Sequence, residues 1–260
     1  NNPVSYDEQR GVWDVFKWDD VKRVASDWES FSSHGAGIFD QTYPDEDDDV
    51  SPVIVSADPP EHTRLRNLVS DHFHPEELQQ YRPEMEQRAE QLMDEALGEG
   101  PEFDFATDVA WKFPMIIIAD MMGVPQDRRD TYKEWSDILV GTPTEMETAS
   151  REEMMQKRVQ TLRKMADFFG EMIETRLTEE RKDLMATLLD SDLTEKEIIK
   201  FGQIFILAGN ITTTMFLSNA VWTFIEENLI PDLKRNDVEL DRALDEVLRY
   251  RSPVKEVTRV

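Results

Sequence analysis

The longest apolar stretch of the chain, Gln203 to Phe224, predicts a central buried helix. Its middle is unfavourable for a helix, because glycine costs about 1 kcal/mol relative to alanine and β-branched residues lose side-chain freedom there. We therefore expect Ala208 and Gly209 to form a thin segment against which something flat can lie, with threonine hydroxyls bonded to the preceding turn. An ordinary core helix is the alternative. A membrane span is disfavoured by polar interruptions at Asn210, Thr212, Thr213, Thr214, Ser218 and Asn219.

Hydrophobic periodicity predicts further helices along most of the chain and one small sheet near its start. Two short strands are expected within Val4 to Trp18, joined around Gly11, and VKEVTRV at the end reads as another strand. Proline and glycine clusters make Trp28 to Asp58 a long irregular segment. A short helix capped by Asp19 or Asp20 is expected to run to Val24, and a Thr194–Glu197 capping box begins the central helix. The other predicted helices are Glu61 to Phe73, Glu76 to Leu97, Ala106 to Met122, Asp127 to Val140, Arg151 to Arg176 and Leu240 to Tyr250. The expected fold class is mainly α with a minor β-sheet.

The charge balance limits the possible partners. The 260 residues carry a formal net charge of −26, spread along the whole chain. Phosphate contacts need a basic face, so nucleic acid is not expected as a partner. Uniform acidity favours a cytoplasmic protein of a high-salt organism, since salt screens self-repulsion. The chain contains no cysteine, which excludes disulfides and thiolate metal sites within it, and no signal peptide is visible.

Three short patterns carry candidate chemistry. In His62-Thr-Arg-Leu-Arg66, the first and last residues are four apart and project from one face of a helix, where they can clamp an anion. Taken alone, a solvated basic patch is the favoured interpretation of this pair. The second pattern is the segment from Ala208 to Thr213. The third is Glu246-Val-Leu-Arg249, whose spacing also fits an exposed helical salt bridge.

In this order, HTRLR, AGNITTT and EVLR closely resemble the cytochrome P450 family of haem-thiolate monooxygenases, in its soluble bacterial or archaeal form. DWESFSS at 27–33 and IADMMGVP at 118–125 are similar to further family motifs. The resemblance covers nearly all 260 residues. It implies a single P450-like domain over 1–260, incomplete at both ends and lacking the C-terminal haem-thiolate segment.

The resemblance also implies a role for each motif residue. His62, Arg66 and Arg259 would bind the haem propionates, and Ala208 and Gly209 would line the groove over the iron. Thr212 would hydrogen-bond dioxygen and pass protons to its outer oxygen. Glu246 and Arg249 would form a buried structural pair. The expected partners are a small apolar substrate, dioxygen and a ferredoxin or flavin reductase that donates electrons, with no membrane. The substrate would be bounded by Trp28 to Asp58 and Val140 to Met154.

The sequence departs from the family pattern in two places. Ile211 stands where the family has an acid before its threonine, so protons must come through water, Asn210 or another group. The family's cysteine ligand is also missing, and we predict no metal ligand within this chain.

The missing cysteine favours a piece of a longer enzyme, and two alternatives to a working oxygenase stay open. One is a truncated, non-catalytic remnant that binds haem or an apolar ligand. The other is a helical enzyme of the prenyl-diphosphate kind, which would bind magnesium through Asp45 to Asp49; a solvated acidic loop is the favoured interpretation of that run.

Overall fold

The computed structural model describes residues 3–35, 54–98, 100, 102–128, 131, 134, 135, 138, 150–176 and 183–260. Backbone contacts group the chain into two compact units. Unit 1 comprises Asn1–Asn67 and Glu256–Val260, and unit 2 comprises Leu68–Lys255. Each is described separately, and the single-domain organisation stays a prediction.

Unit 1 begins with the expected hairpin. Strands β1 (Val4–Asp7) and β2 (Val12–Val15) pair antiparallel, with Val4 opposite Val15. Gly11 closes the turn at φ +70°, a conformation that glycine adopts without a steric penalty. Arg10 braces the turn by bonding Asp7 at 2.7 Å and Asp14 at 2.6 Å. The hairpin prediction is therefore confirmed.

Two further predictions for unit 1 need correction. Helix α1 (Trp18–Ser26) begins after Lys17 without a side-chain cap, so Asp19 and Asp20 lie in its first turn instead of capping it. There their charges still favour the positive end of the helix. The final residues are not a strand, although Val260 exchanges two backbone hydrogen bonds with Ser32, at 2.8 and 2.9 Å. A single bridged residue is too short to form a strand.

Helix α2 (Glu61–Val69) follows a 3-10 turn at Ile54–Ser56, and most of the chain then lies in unit 2. The helices of unit 2 are α3 (Pro75–Leu78), α4 (Arg82–Gly98), α5 (Lys112–Met121), α6 (Arg151–Arg176), α7 (Leu184–Leu189), α8 (Glu195–Glu226), α9 (Ile230–Lys234) and α10 (Leu240–Tyr250). Short 3-10 segments cover Ser70–Phe73, Gln79–Tyr81 and Gln126–Arg128, and a π-helical turn covers Ala106–Ala110.

Two predicted helices are interrupted, and a proline explains each interruption. The Glu76 to Leu97 prediction splits at Gln79–Tyr81, because Pro83 has no N–H to bond the carbonyl of Gln79. The segment predicted as one helix from Ala106 to Met122 begins with the π-helical turn. Pro114 lies four residues after Ala110, so it has no N–H to bond the Ala110 carbonyl. The bounds of α6 and α10 match the predictions. Much of Asp127 to Val140 lies outside the described residues.

The core of unit 2 forms around α8, as predicted. The Thr194–Glu197 capping box is present, with the Thr194 backbone amide donating to the Glu197 carboxylate at 2.7 Å. Gly202 makes room for Phe169 of α6, since a β-carbon there would lie 2.7 Å from the phenyl ring. The buried amide of Gln203 donates to the Leu162 carbonyl at 2.8 Å. These contacts tie the N-terminal half of α8 to α6.

Helix α8 also has the length and composition of a membrane span. Among the described residues it is the one helix with this property, and its most apolar 18-residue window has a mean hydropathy of 1.4. Asn210 lies within every 18-residue window of this helix, so the predicted polar interruptions are present but do not bring the hydropathy below that of a span. A core helix of a soluble protein passes the same test, and 33% of this window is buried.

A buried ion pair joins three separate segments of unit 2. Arg176, at the end of α6, bonds both oxygens of Asp183 at 2.8 Å and also donates to the carbonyl of Gly123. The two side chains are only 6% and 14% exposed. Asp183 in addition caps α7 by accepting from the Ala186 amide at 3.0 Å.

Candidate functional site

One face of the central helix carries small, accessible groups. Ala208 is exposed, and Thr212, one turn later on the same side, is half-buried. The Thr212 hydroxyl donates to the Ala208 carbonyl at 2.9 Å. This is the back-bonding predicted for the threonines, and it leaves the hydroxyl oxygen able to accept a further hydrogen bond.

Gly209 faces a different direction from Ala208. A β-carbon at Gly209 would lie 3.4 Å from the side chain of Ile118 on α5, so the absence of a side chain allows α5 and α8 to approach closely. A contact of 3.4 Å is at the limit of ordinary van der Waals packing, so the position tolerates little more than a methyl group. A role for Gly209 in cofactor binding stays a prediction. The methyl group of Ala208 is exposed and is therefore accessible to a ligand.

The residue suggested as an alternative proton donor lies on the opposite side of the helix. Asn210 is 0% exposed, and its side chain lies 3.1 Å from the Thr214 hydroxyl. It is therefore removed from the face that carries Ala208 and Thr212. Of the routes considered for protons in the absence of an acid at Ile211, the one through Asn210 is wrong.

Unit 1 carries the predicted basic residues. His62 and Arg66 lie four residues apart on α2, where His62 is half-buried and Arg66 is exposed. Arg259 is half-buried, and its guanidinium donates to the Thr258 carbonyl at 2.8 Å. The backbone carbonyl of Asp58 accepts from the His62 amide at 2.9 Å, and the Asp58 carboxylate is close enough to Arg259 to be affected by that charge.

Asp58 is a residue of this region that the sequence interpretation missed. Its carboxylate accepts hydrogen bonds from the Ser32 hydroxyl and from the Ser33 amide, the latter at 2.9 Å. Partial burial opposes its ionisation, but these hydrogen bonds and the Arg259 charge outweigh burial and hold the pKa of Asp58 below its ordinary value of 3.8. An aspartate just before Pro59-Pro60 was the available signal, since Asp often precedes such a helix start.

Replacing Asp58 with asparagine is expected to destabilise the chain at neutral pH. A lowered folded-state pKa contributes stability that is present above the ordinary pKa and is lost as the pH falls through the folded value. The difference in urea midpoint between wild type and Asp58→Asn should therefore be largest at pH 7 and shrink below pH 3.8. Glu8→Gln, in the exposed hairpin turn, is the control, and a difference that does not change with pH would contradict the assignment.

Several predicted site segments lie outside the described residues. They include the acidic run Asp45 to Asp49 and most of the two segments expected to bound the substrate. Within the described residues, no group of three or more His, Asp or Glu side chains is arranged to hold a metal ion.

Comparison with known proteins decides the family. A putative cytochrome P450, YjiB, from Bacillus subtilis is 32% identical over 99% of this chain, and Cytochrome P450 109 from Bacillus spizizenii is 34% identical over 100% of it. The crystal structure of substrate-free CYP109E1 from Bacillus megaterium superposes with a TM-score of 0.88 at 31% identity, covering 99% of this chain and 67% of that one. The chain belongs to the cytochrome P450 family. No family model matches it.

The cytochrome P450 relatives are longer than this chain. It spans 64% of YjiB and 62% of Cytochrome P450 109. The mainly helical P450 fold with a small sheet, predicted from the sequence, is confirmed. P450 relatives are haem-thiolate enzymes, so haem is the expected cofactor.

The described residues fit part of a P450 haem site. A porphyrin presents a flat apolar face and two carboxylates. In unit 2, the exposed Ala208 methyl would suit the apolar face, and in unit 1, taken by itself, the basic side chains of His62, Arg66 and Arg259 would suit carboxylates. The axial thiolate does not fit this sequence, which has no cysteine.

The P450 E-x-x-R pair is formed but not buried. Arg249 bonds Glu246 at 2.7 and 2.6 Å, while the two side chains are 70% and 61% exposed. The expectation of a buried pair is wrong for this chain, because α10 turns Ala243 and Val247 towards the core and the pair away from it. The hydrogen bonds and charge of Arg249 hold the pKa of Glu246 below its usual value.

Proposed function

We propose that the intact protein is a haem-dependent monooxygenase that inserts one atom of dioxygen into an apolar organic substrate. The observation that carries this is the open face of α8, where Ala208 is exposed and Thr212 places a hydroxyl one turn away. Membership of the P450 family supports it. Residues 1–260 would form part of one P450 domain.

Each motif residue has a role in this proposal. In unit 1, His62, Arg66 and Arg259 donate charge-assisted hydrogen bonds to the haem carboxylates. In unit 2, Ala208 and Gly209 line the surface on which the porphyrin lies, and the Thr212 Oγ1 holds a proton for transfer. Bound haem supplies the activation of dioxygen. Because Ile211 cannot relay protons, water must reach Thr212, and we expect poorer coupling of electrons to product than in a variant with an acid there.

The relatives suggest the class of substrate. CYP109E1 has been solved in complex with corticosterone and with testosterone, and an erythromycin C-12 hydroxylase from Saccharopolyspora erythraea is 28% identical to this chain. We infer a small apolar substrate, with rigid polycyclic molecules as the first to test. A ferredoxin or a flavin reductase would donate the electrons. We place the protein in the cytoplasm, with no membrane or nucleic-acid partner.

Labelled dioxygen tests this function directly. The intact protein, supplied with electrons and a panel of steroids and macrolides, should incorporate one labelled atom into product and one into water. A product whose new oxygen atom comes only from water, and so carries no label, would contradict the proposal. The absence of any product when the protein is correctly loaded with haem would also contradict it.

The second candidate is a non-catalytic remnant that binds haem or an apolar ligand, which the absence of cysteine favours. The mass of the protein purified from its natural source separates the two candidates. A mass near 30.3 kDa would support the remnant, and a larger mass with a cysteine-containing segment would support the enzyme.

The charge of −26 leads us to propose a high-salt cytoplasm. Salt shortens the distance over which the acidic side chains repel one another, from about 10 Å at 0.1 M salt to about 3 Å at 1 M. We expect the thermal midpoint to rise steadily as sodium chloride is added over that range, since a compact acidic chain gains most from screening. A midpoint that stays flat or falls would remove the high-salt assignment, and it would leave the oxygenase proposal untouched.

A further inference from the structure

A hydrogen-bonded network holds the side of α8 opposite to Ala208 and Thr212. It begins at the carbonyl of Ala110, the last residue of the π-helical turn, which is 0% exposed. In a continuous α-helix this carbonyl would accept from the amide four residues later, but that residue is Pro114 and has no N–H. The hydroxyl of Thr214 donates to it instead, at 3.0 Å. Thr214 of α8 therefore provides the hydrogen-bond donor that Pro114 cannot provide to the Ala110 carbonyl.

Asn210 extends the network along α8. It lies one turn before Thr214, and its side-chain oxygen is 3.1 Å from the Thr214 hydroxyl, whose single hydrogen is shared between this oxygen and the Ala110 carbonyl. Asn210 is 0% exposed and Thr214 is 7% exposed. Buried polar groups of this kind are costly unless they are hydrogen-bonded, so the pair strongly prefers one arrangement. The network therefore favours one rotational setting of α8 against the π-helical turn.

The geometry of a helix links this setting to the opposite face. Residues two apart are about 200° apart around a helix of 3.6 residues per turn. Asn210 and Thr214 point inward, so Ala208 and Thr212 are turned outward, which agrees with their exposure. Ile118 of α5 lies on the Gly209 side of α8, where an added β-carbon would come within 3.4 Å of it. A rotation of α8 that displaced Thr212 would have to break the contacts to Ala110.

We propose that Thr214 and Asn210 are positioning residues, which set the orientation of Thr212 and Ala208: Thr214 binds the carbonyl of Ala110, and Asn210 contacts the Thr214 hydroxyl. The inference rests on the proposed function for what Thr212 does. It assigns to Asn210 and Thr214 no contact with substrate or cofactor. Positioning at this level matters, because a misplacement of about 1 Å at a reacting group can cost about 100-fold in rate.

The first test compares three variants of the intact haem-loaded protein. Thr214→Val keeps the shape of the side chain and removes the hydroxyl, Thr214→Ser keeps the hydroxyl, and Thr213→Val is the control on the neighbouring threonine. We expect Thr214→Val to lower kcat about tenfold with KM little changed and to divert electrons to hydrogen peroxide, consistent with a small displacement of Thr212. Thr214→Ser should restore coupling. Equal effects of Thr214→Val and Thr213→Val, or failure of serine to restore coupling, would overturn the proposal.

A second test needs no haem. Amide hydrogen exchange in the cofactor-free protein should be faster over 206–214 in Thr214→Val than in Thr213→Val. Pro114→Ala should weaken this effect, because the new alanine amide can bond the Ala110 carbonyl in place of Thr214. Exchange that is equally fast in the Thr214→Val variant with and without Pro114→Ala would overturn the network. If the wild-type enzyme oxygenates nothing, the proposed function fails, and the exchange result still decides whether the network holds α8.

Discussion

Replacing Arg176 with alanine is expected to destabilise the folded chain by about 3–5 kcal/mol, the usual cost of leaving one half of a buried ion pair. Arg176 is 6% exposed and binds both oxygens of Asp183 as well as the carbonyl of Gly123. Its loss would leave a partly buried carboxylate unpaired and would loosen the cap of α7. Urea denaturation at pH 7 measures the change.

Arg249→Ala is the matched control for this prediction. Arg249 also bonds a carboxylate through two nitrogens, but its pair with Glu246 is exposed, so the urea midpoint should barely move. A second variant, Arg176→Met combined with Asp183→Leu, should recover much of the lost stability, because no buried charge remains. An Arg176→Ala variant as stable as Arg249→Ala would show that the buried pair does not tie α6, α7 and Gly123 together.

Substituting phenylalanine for Ala208 is expected to reduce the haem content of the intact protein about tenfold or more, since overpacking a contact costs about 1–3 kcal/mol. Ala208 is exposed, so the larger side chain should leave the stability of the cofactor-free chain nearly unchanged. Haem absorbance per protein and the unfolding midpoint of the cofactor-free protein separate these two effects.

Ile225→Phe is the control, because Ile225 is also exposed on α8 but lies near its end. It should retain haem. If Ala208→Phe binds as much haem as Ile225→Phe, the open face at Ala208 is not where the porphyrin lies. If Ala208→Phe instead unfolds the cofactor-free chain, Ala208 is a packing residue and the interpretation of its exposure is wrong.

Local signals in the sequence were sufficient for much of the fold. The capping box before α8 uses residues three apart, and the bounds of α6 and α10 follow from hydrophobic spacing and flanking breakers. Both interrupted helices contain a proline within an otherwise regular pattern, where the missing N–H outweighs the apolar periodicity. Recognising Pro83 and Pro114 as breakers would have found both interruptions.

Long-range partners account for what the sequence could not predict. Arg176 bonds Asp183, seven residues away, and Gly123, 53 residues away, and no local pattern specifies such a combination. The same holds for Thr214 and Ala110, which are 104 residues apart. The motif residues Thr212, His62 and Arg66 were identified by resemblance. Exposure of the Glu246–Arg249 pair likewise depends on which side of α10 packs inward.

The ferrous carbon-monoxide spectrum of the intact protein tests the central claim most directly. We expect a thiolate-type haem spectrum, which requires a cysteine ligand from sequence outside these 260 residues. Ala208→Phe should lose this spectrum, and Ile225→Phe should retain it. A histidine-type spectrum, or no haem bound by the intact protein, would contradict the assignment of this chain to a working cytochrome P450 monooxygenase.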